Sequence, residues 1–321
     1  MTKDPVGKAG LGISLAVCAA MGVAAFTTAP GSPTAPHTGL CFPPPEEWGM
    51  APFASWLANM LMLLMCTGAL WMLNRRHIFI QSTGMLLPAA FAVLTASVPA
   101  DVQGLSAGTL LAAANLISLG LLFGCRENTD NTQPLFVIAS ILSLGSALQA
   151  AFIPFAAVFL LAGIAIKRVG IREFLAYILG LAAPYWALFG LGIISPADIA
   201  PQNPFSFPDN IAPDLFATAG TAAVTAVWTL LAGFSNSMRL LKANSTVRAF
   251  NLVIALIGLT AMLGCIFNFS SLTVFLPTLF IASATQLANA FALRQGNASP
   301  VVPLLLLLIY TAFFLLAAQI I

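Results

Sequence analysis

The sequence predicts an all-α fold: a polytopic transmembrane helix bundle of about eleven membrane segments, N-terminus inside and C-terminus outside. Three observations lead there. Hydrophobic residues make up 60% of the 321 and charged residues 7%, against roughly 45–50% and 25% in a soluble domain. Apolar runs long enough to cross about 30 Å of hydrocarbon recur along the whole chain. The basic residues fall into alternate connections between those runs, which is the positive-inside pattern.

In chain order, Lys3 and Lys8 precede the first run, Leu11 to Phe26. It reads as a retained span, with a cleaved signal peptide as the alternative, because Pro30 and the mixed flank make a poor cleavage site. Further runs follow at Phe53 to Leu73, Ile78 to Val98, Ala107 to Cys125, Phe174 to Ile194, Leu215 to Phe234, Ala249 to Phe267, Leu272 to Ala292 and Val301 to Ile321. Pro134 to Ile166 is long for one span and short for two, so it reads as a hairpin of two short helices centred on Gln149 to Pro154, crossing or re-entering.

Counting that stretch as a hairpin places every Lys and Arg on one side, whereas a single crossing sets the two halves of the chain in conflict. The tight basic turn Lys167, Arg168 and Arg172 opens directly into the run from Phe174 and anchors the orientation. The expected external connections, chiefly residues 29–52, 99–106 and 195–214, carry Glu46, Glu47, Asp101, Asp198, Asp209 and Asp214 and no basic residue. Prolines crowd 195–214 and forbid a regular helix there. No soluble domain and no repeat of 20 to 50 residues is visible, so residues 1–321 read as one integral membrane domain.

Candidate chemistry is sparse. The middle of each predicted span lacks Asp, Glu, Lys and Arg, which counts against an ion-coupled transporter or a proton pump. Gln286 and Asn289, three apart on one helix face, are the candidates for a substrate path; amides so placed more often hydrogen-bond across a helix interface. Glu46 and Glu47 are adjacent carboxylates ahead of a span, the candidates for a general base or a divalent-cation ligand at the membrane surface, against the plainer reading of a solvated acidic loop. Arg75, Arg76, Lys167, Arg168 and Arg172 are assigned to cytoplasmic-face topology or to contacts with lipid phosphates. His77 belongs with Arg75 and Arg76, and His37 has no partner at ligand spacing. The cysteines Cys18, Cys41, Cys66, Cys125 and Cys265 stand singly, so neither a disulfide framework nor a metal site is expected. Ala176, Gly180 and Pro184 recur every four residues and form a small face on which a neighbouring helix packs closely.

The hairpin Pro134 to Ile166, the turn Lys167-Arg168 and the run REFLAYILGLAAP from Arg172 to Pro184 resemble an uncharacterised family of multi-pass inner-membrane proteins of Bacteroidetes, over Asn74 to Ile194. The layout is more loosely similar to integral-membrane glycosyltransferases that use polyprenyl-phosphate donors. That second resemblance implies a catalytic or metal-binding role for Glu46 and Glu47, with a divalent cation as the cofactor. Such enzymes hold the lipid-linked phosphate with external basic groups and commonly carry an external domain, and this chain departs from both. The resemblances imply a bacterial inner membrane, with membrane lipids and other inner-membrane proteins as partners. The near-balanced net charge of +2 points away from nucleic acid. The functional expectation is a scaffold or accessory in cell-envelope assembly, without cofactor; the alternatives are a glycosyltransferase-like enzyme and a transporter or lipid flippase.

Overall fold

A computed structural model describes residues 7–28, 40–80, 85–126, 130–166, 169–195, 207, 213–241, 244–292 and 301–318. Among them are twelve α-helices: α1 (Gly7–Thr28), α2 (Pro52–His77), α3 (Leu86–Ala96), α4 (Pro99–Gln103), α5 (Ala107–Gly124), α6 (Thr132–Leu148), α7 (Ile153–Ile166), α8 (Ile171–Gly190), α9 (Pro213–Leu240), α10 (Ser245–Phe267), α11 (Leu272–Ala292) and α12 (Val301–Ala317). The fold is an all-α bundle, and seven of these helices are long and apolar enough to cross a membrane. The chain is an integral membrane protein.

The predicted hairpin is present. α6 and α7 meet at a turn around Gln149, closed by a 3-10 turn at Ala150–Phe152. The predicted run from Ile78 behaves differently. Ile78 adopts a left-handed conformation and ends α2 by donating its N–H to the Asn74 carbonyl at 2.8 Å, and α3 begins only at Leu86. The connection between α3 and α5, expected as an external loop, instead folds into α4. Pro99 at its first position and Asp101 in its first turn suit a helix start.

α11 is the hub. Of its most apolar window 94% is buried, against 17% for α8 at the periphery, and it packs against α3, α5, α9 and α10. Pro277 leaves the Thr273 carbonyl without its intrahelical donor. Gly108 of α5 lies over that carbonyl so closely that a Cβ at residue 108 would stand 2.7 Å from it, and a side chain there would force the two helices apart.

α8 joins the bundle mainly through α6, and the two run parallel: Ser140, Ser143 and Ser146 meet Gly180, Leu181 and Tyr185 in the same order. The reason lies in Pro184. Lacking an N–H, it cannot satisfy the Gly180 carbonyl four residues back, and Ser140 Oγ shares its hydrogen between that carbonyl at 3.1 Å and the Phe136 carbonyl at 2.9 Å. Ser143 Oγ donates to the Leu181 carbonyl at 2.6 Å. Gly180 is the point of closest approach, where a Cβ would stand 2.4 Å from the Phe136 carbonyl oxygen and 2.8 Å from the Ala139 Cβ. The small face expected at Ala176, Gly180 and Pro184 therefore packs on α6.

Overpacking at that contact has a defined cost. Gly180→Val is expected to destabilise the bundle by about 1–3 kcal/mol. Gly190→Ala at the end of the same helix, where the added Cβ meets open space, should leave stability unchanged in a detergent-unfolding titration.

Candidate functional site

The bundle has two chemically distinct ends. At one, Arg75 and Arg76 close α2, Arg126 follows α5, Arg172 opens α8, Arg239 closes α9 and Arg248 opens α10. Ring contacts tie three of these helix ends together. Phe123 of α5 stacks on Phe250 of α10 at 4.0 Å, and His77 of α2 meets both rings edge-on at 5.8 and 6.1 Å. Arg75, Arg76 and Arg172 are exposed. The Arg75 guanidinium lies 5.4 Å from the Trp71 ring centroid. Glu173 accepts from the Gly170 N–H at 3.0 Å and caps the start of α8. Lys167 and Arg168 lie outside the described residues.

Gln286 and Asn289 belong to the same end. Both are buried, and Gln286 is the centre of an amide cluster joining three helices. Asn236 of α9 donates through Nδ2 to the Gln286 carbonyl at 2.7 Å and to its Oε1 at 2.9 Å. Gln286 Nε2 in turn donates to Asn251 Oδ1 of α10 at 3.1 Å. A cavity of about 210 Å³ nearby is lined by Trp228, Leu231, Ser235, Arg239, Leu287 and Phe291 among others. Elsewhere Asn115 of α5 donates to Thr278 Oγ1 of α11 at 3.1 Å. Gln286, Asn236, Asn251 and Asn115 thus bond one helix to another.

The opposite end is acidic, and here the structure separates two residues that the sequence sets side by side. Glu47 is exposed, whereas Glu46 turns inward from a 3-10 turn at Pro45–Glu47. Its Oε1 accepts from the Ala107 N–H at 2.9 Å, satisfying a donor in the first turn of α5, where the helix dipole favours a negative charge. Its Oε2 is buried with no hydrogen-bond partner among the described residues. Burial raises the Glu46 carboxyl above its ordinary value, the Ala107 N–H pulls it back down, and the Glu47 charge adds a small rise.

Asp101 is the residue that the sequence reading passed over as part of an external connection. It is 1% exposed, and both carboxylate oxygens lack a hydrogen-bond partner among the described residues. Its backbone is held tightly. Asn59 of α2 donates through Nδ2 to the Asp101 carbonyl at 2.8 Å, Thr109 of α5 donates to Asn59 Oδ1 at 2.8 Å, and Ser55 Oγ accepts from the Leu105 N–H at 2.9 Å. Burial pushes the Asp101 carboxyl well above the usual aspartate value. The available signal was local: an eight-residue connection with Pro99 and Asp101 placed as a helix start, surrounded by Ala, Val and Leu.

No protein-family model, curated protein or solved structure matches this chain. Its chemistry is therefore read from its own residues. Among the described residues, no group of three or more His, Cys, Asp or Glu is placed to hold a metal, and the five cysteines are free thiols. Glu46 and Glu47 could bring a divalent cation to the acidic end only with further oxygen ligands. Asp198 and Asp209, and the side chain of Asp214, lie outside the description. An apolar groove of about 300 Å³ runs between α1, α2 and α3 and reaches Val102 of α4. Its two threonines are satisfied within their own helices, Thr67 on the Leu63 carbonyl at 2.8 Å and Thr95 on the Phe91 carbonyl at 2.9 Å, so the groove offers hydrocarbon chemistry.

The amide cluster can be tested directly. Gln286→Leu removes the side-chain bonds to α9 and α10 and takes the donor from Asn251 Oδ1, while Asn236 keeps its bond to the residue 286 carbonyl, with an expected loss of about 1–2 kcal/mol. Asn236→Leu combined with Gln286→Leu should cost less than the sum of the single changes in a double-mutant cycle.

Proposed function

We propose that this chain is a multi-pass protein of a bacterial inner membrane, with its arginine-rich end in the cytoplasm, acting as a scaffold or accessory in cell-envelope assembly. One observation carries the reading. Two of the candidate polar side chains are bonded to other helices: Gln286 joins α9 and α10 to α11, and Glu46 ties the segment ahead of α2 to the start of α5. The outward surfaces of α8 and α9 present large apolar groups, including Trp186, Phe216 and Phe234, suited to lipid and to the helices of other membrane proteins. The clustering of arginines at one end supports the orientation. The cationic side chains there suit lipid phosphates.

A second reading, a glycosyltransferase-like enzyme with a lipid-linked donor, draws on the apolar groove, which has room for part of a lipid tail and leads toward the acidic end. It requires a catalytic carboxylate. A divalent cation would enter only under this reading.

Two measurements test the proposal. A cysteine placed at Glu47 should react with a membrane-impermeant maleimide added to intact spheroplasts, and one at Arg76 only after permeabilisation; the reverse pattern overturns the orientation. In the host, Glu46→Gln and Glu47→Gln should leave envelope integrity unchanged at equal expression. Loss of function in either variant, with the protein still folded and abundant, would move the assignment to the enzyme.

A further inference from the structure

We propose that Asp101 is a binding site for a monovalent cation, a proton or a sodium ion, enclosed at the acidic end of the bundle. An ionised carboxylate removed from water requires a countercharge or strong donors. Asp101 is 1% exposed and both of its oxygens lack a protein donor among the described residues. The described arginines stand at the other end of the helices. The hydrogen bonds of this corner hold the backbone and leave the carboxyl alone: Asn59 grips the Asp101 carbonyl, Thr109 grips Asn59, and Ser55 holds Leu105. The fold thus fixes the position of a charged group and matches its charge with none of the described side chains.

Unpartnered acceptors also lie on the turn ahead of α11, the helix against which α4 packs. That turn begins three residues after Cys265, at Asn268, and contains Asn268 Oδ1 and Ser271 Oγ, both buried without a partner among the described residues. Cys265 itself lies within electrostatic reach of Asp101. α4 packs on α1, α2, α3 and α11. Of these, α3 and α11 carry no titratable side chain. α1 contributes Cys18, which shares the apolar groove with Val102. α2 presents Ser55 and Asn59 to this corner, and Glu46 sits on the Ala107 N–H beyond it. None of these groups is a cation, and oxygen acceptors without donors are the ligands that a hard monovalent ion or a proton takes.

The sign of the effect follows. If a proton is the ion, the folded protein binds it more tightly than the unfolded chain, so stability falls as pH rises from the ordinary aspartate range toward the raised value in the fold. If sodium serves, stability at high pH rises with sodium concentration.

The test uses the full chain in detergent micelles, with the unfolding midpoint followed by tryptophan fluorescence in sodium-free choline buffer. Raising the pH from about 5 to about 8 should lower the wild-type midpoint by at least about 3 °C. Adding sodium chloride at pH 8, against choline chloride at equal ionic strength, restores the midpoint if sodium binds and leaves it low if only the proton does. Glu46→Gln should keep both responses, whereas Asp101→Asn should remove them without lowering the midpoint at pH 8. A second probe, independent of whether Asp101→Asn folds, uses the wild type: dicyclohexylcarbodiimide, which attacks protonated carboxyls in apolar surroundings. It should modify Asp101 at low pH, with protection by sodium if that ion binds. A midpoint indifferent to both pH and sodium, or responses retained in folded Asp101→Asn, overturns the proposal.

Discussion

Every polar group inside this bundle has to be satisfied by the protein, because hydrocarbon offers no donor or acceptor. That constraint explains the choice of partners. Pro184 costs α8 one internal hydrogen bond, and α6 supplies Ser140 where the bare carbonyl appears. The side chains of Gln286, Asn236 and Asn251 bond to one another across three helices. In a medium as apolar as the helix surfaces themselves, association depends on close packing and on such bonds rather than on expulsion of water. Small residues then matter as much as polar ones: Gly108 and Gly180 set how near α5 comes to α11 and α8 to α6.

The same constraint makes the acidic end informative. Glu46 obeys it in part, since one oxygen serves the first turn of α5. Asp101 does not, since its backbone carbonyl is held by Asn59, itself fixed by Thr109, and its carboxyl by none of the described residues. Burying an uncompensated charge is among the most expensive things a fold can do. The tight hold on the surrounding backbone identifies the position as organised rather than loose. An ion from outside, bound at Asp101, reconciles the two facts.

Glu46, Glu47, Gln286 and Asn289 show how far residue type alone leads. Two neighbouring glutamates look equivalent in a sequence, yet a 3-10 turn sends one inward and leaves the other in solvent. Gln286 and Asn289 share a face by helical spacing, but what that face meets depends on α9 and α10, whose Asn236 and Asn251 lie 50 and 35 residues away. Asp101 was hidden for the opposite reason. A short connection between apolar runs reads as exposed, and only the packing of α4 among α1, α2, α3 and α11 turns it into interior.

Composition and periodicity by themselves determined the all-α class, the apolar segments, the α6–α7 hairpin and the small face of α8, because these depend on local length, hydropathy and residue size. The placement of basic residues in alternate connections also anticipated the gathering of the described arginines at one end, since antiparallel neighbours bring alternate connections together. The tertiary structure alone decided that α6 and α8 run parallel, that α11 is the hub and that Asp101 is enclosed. Those outcomes are set by contacts between residues far apart in the chain, where a freed carbonyl, a missing Cβ or a buried carboxylate has meaning only beside its neighbour.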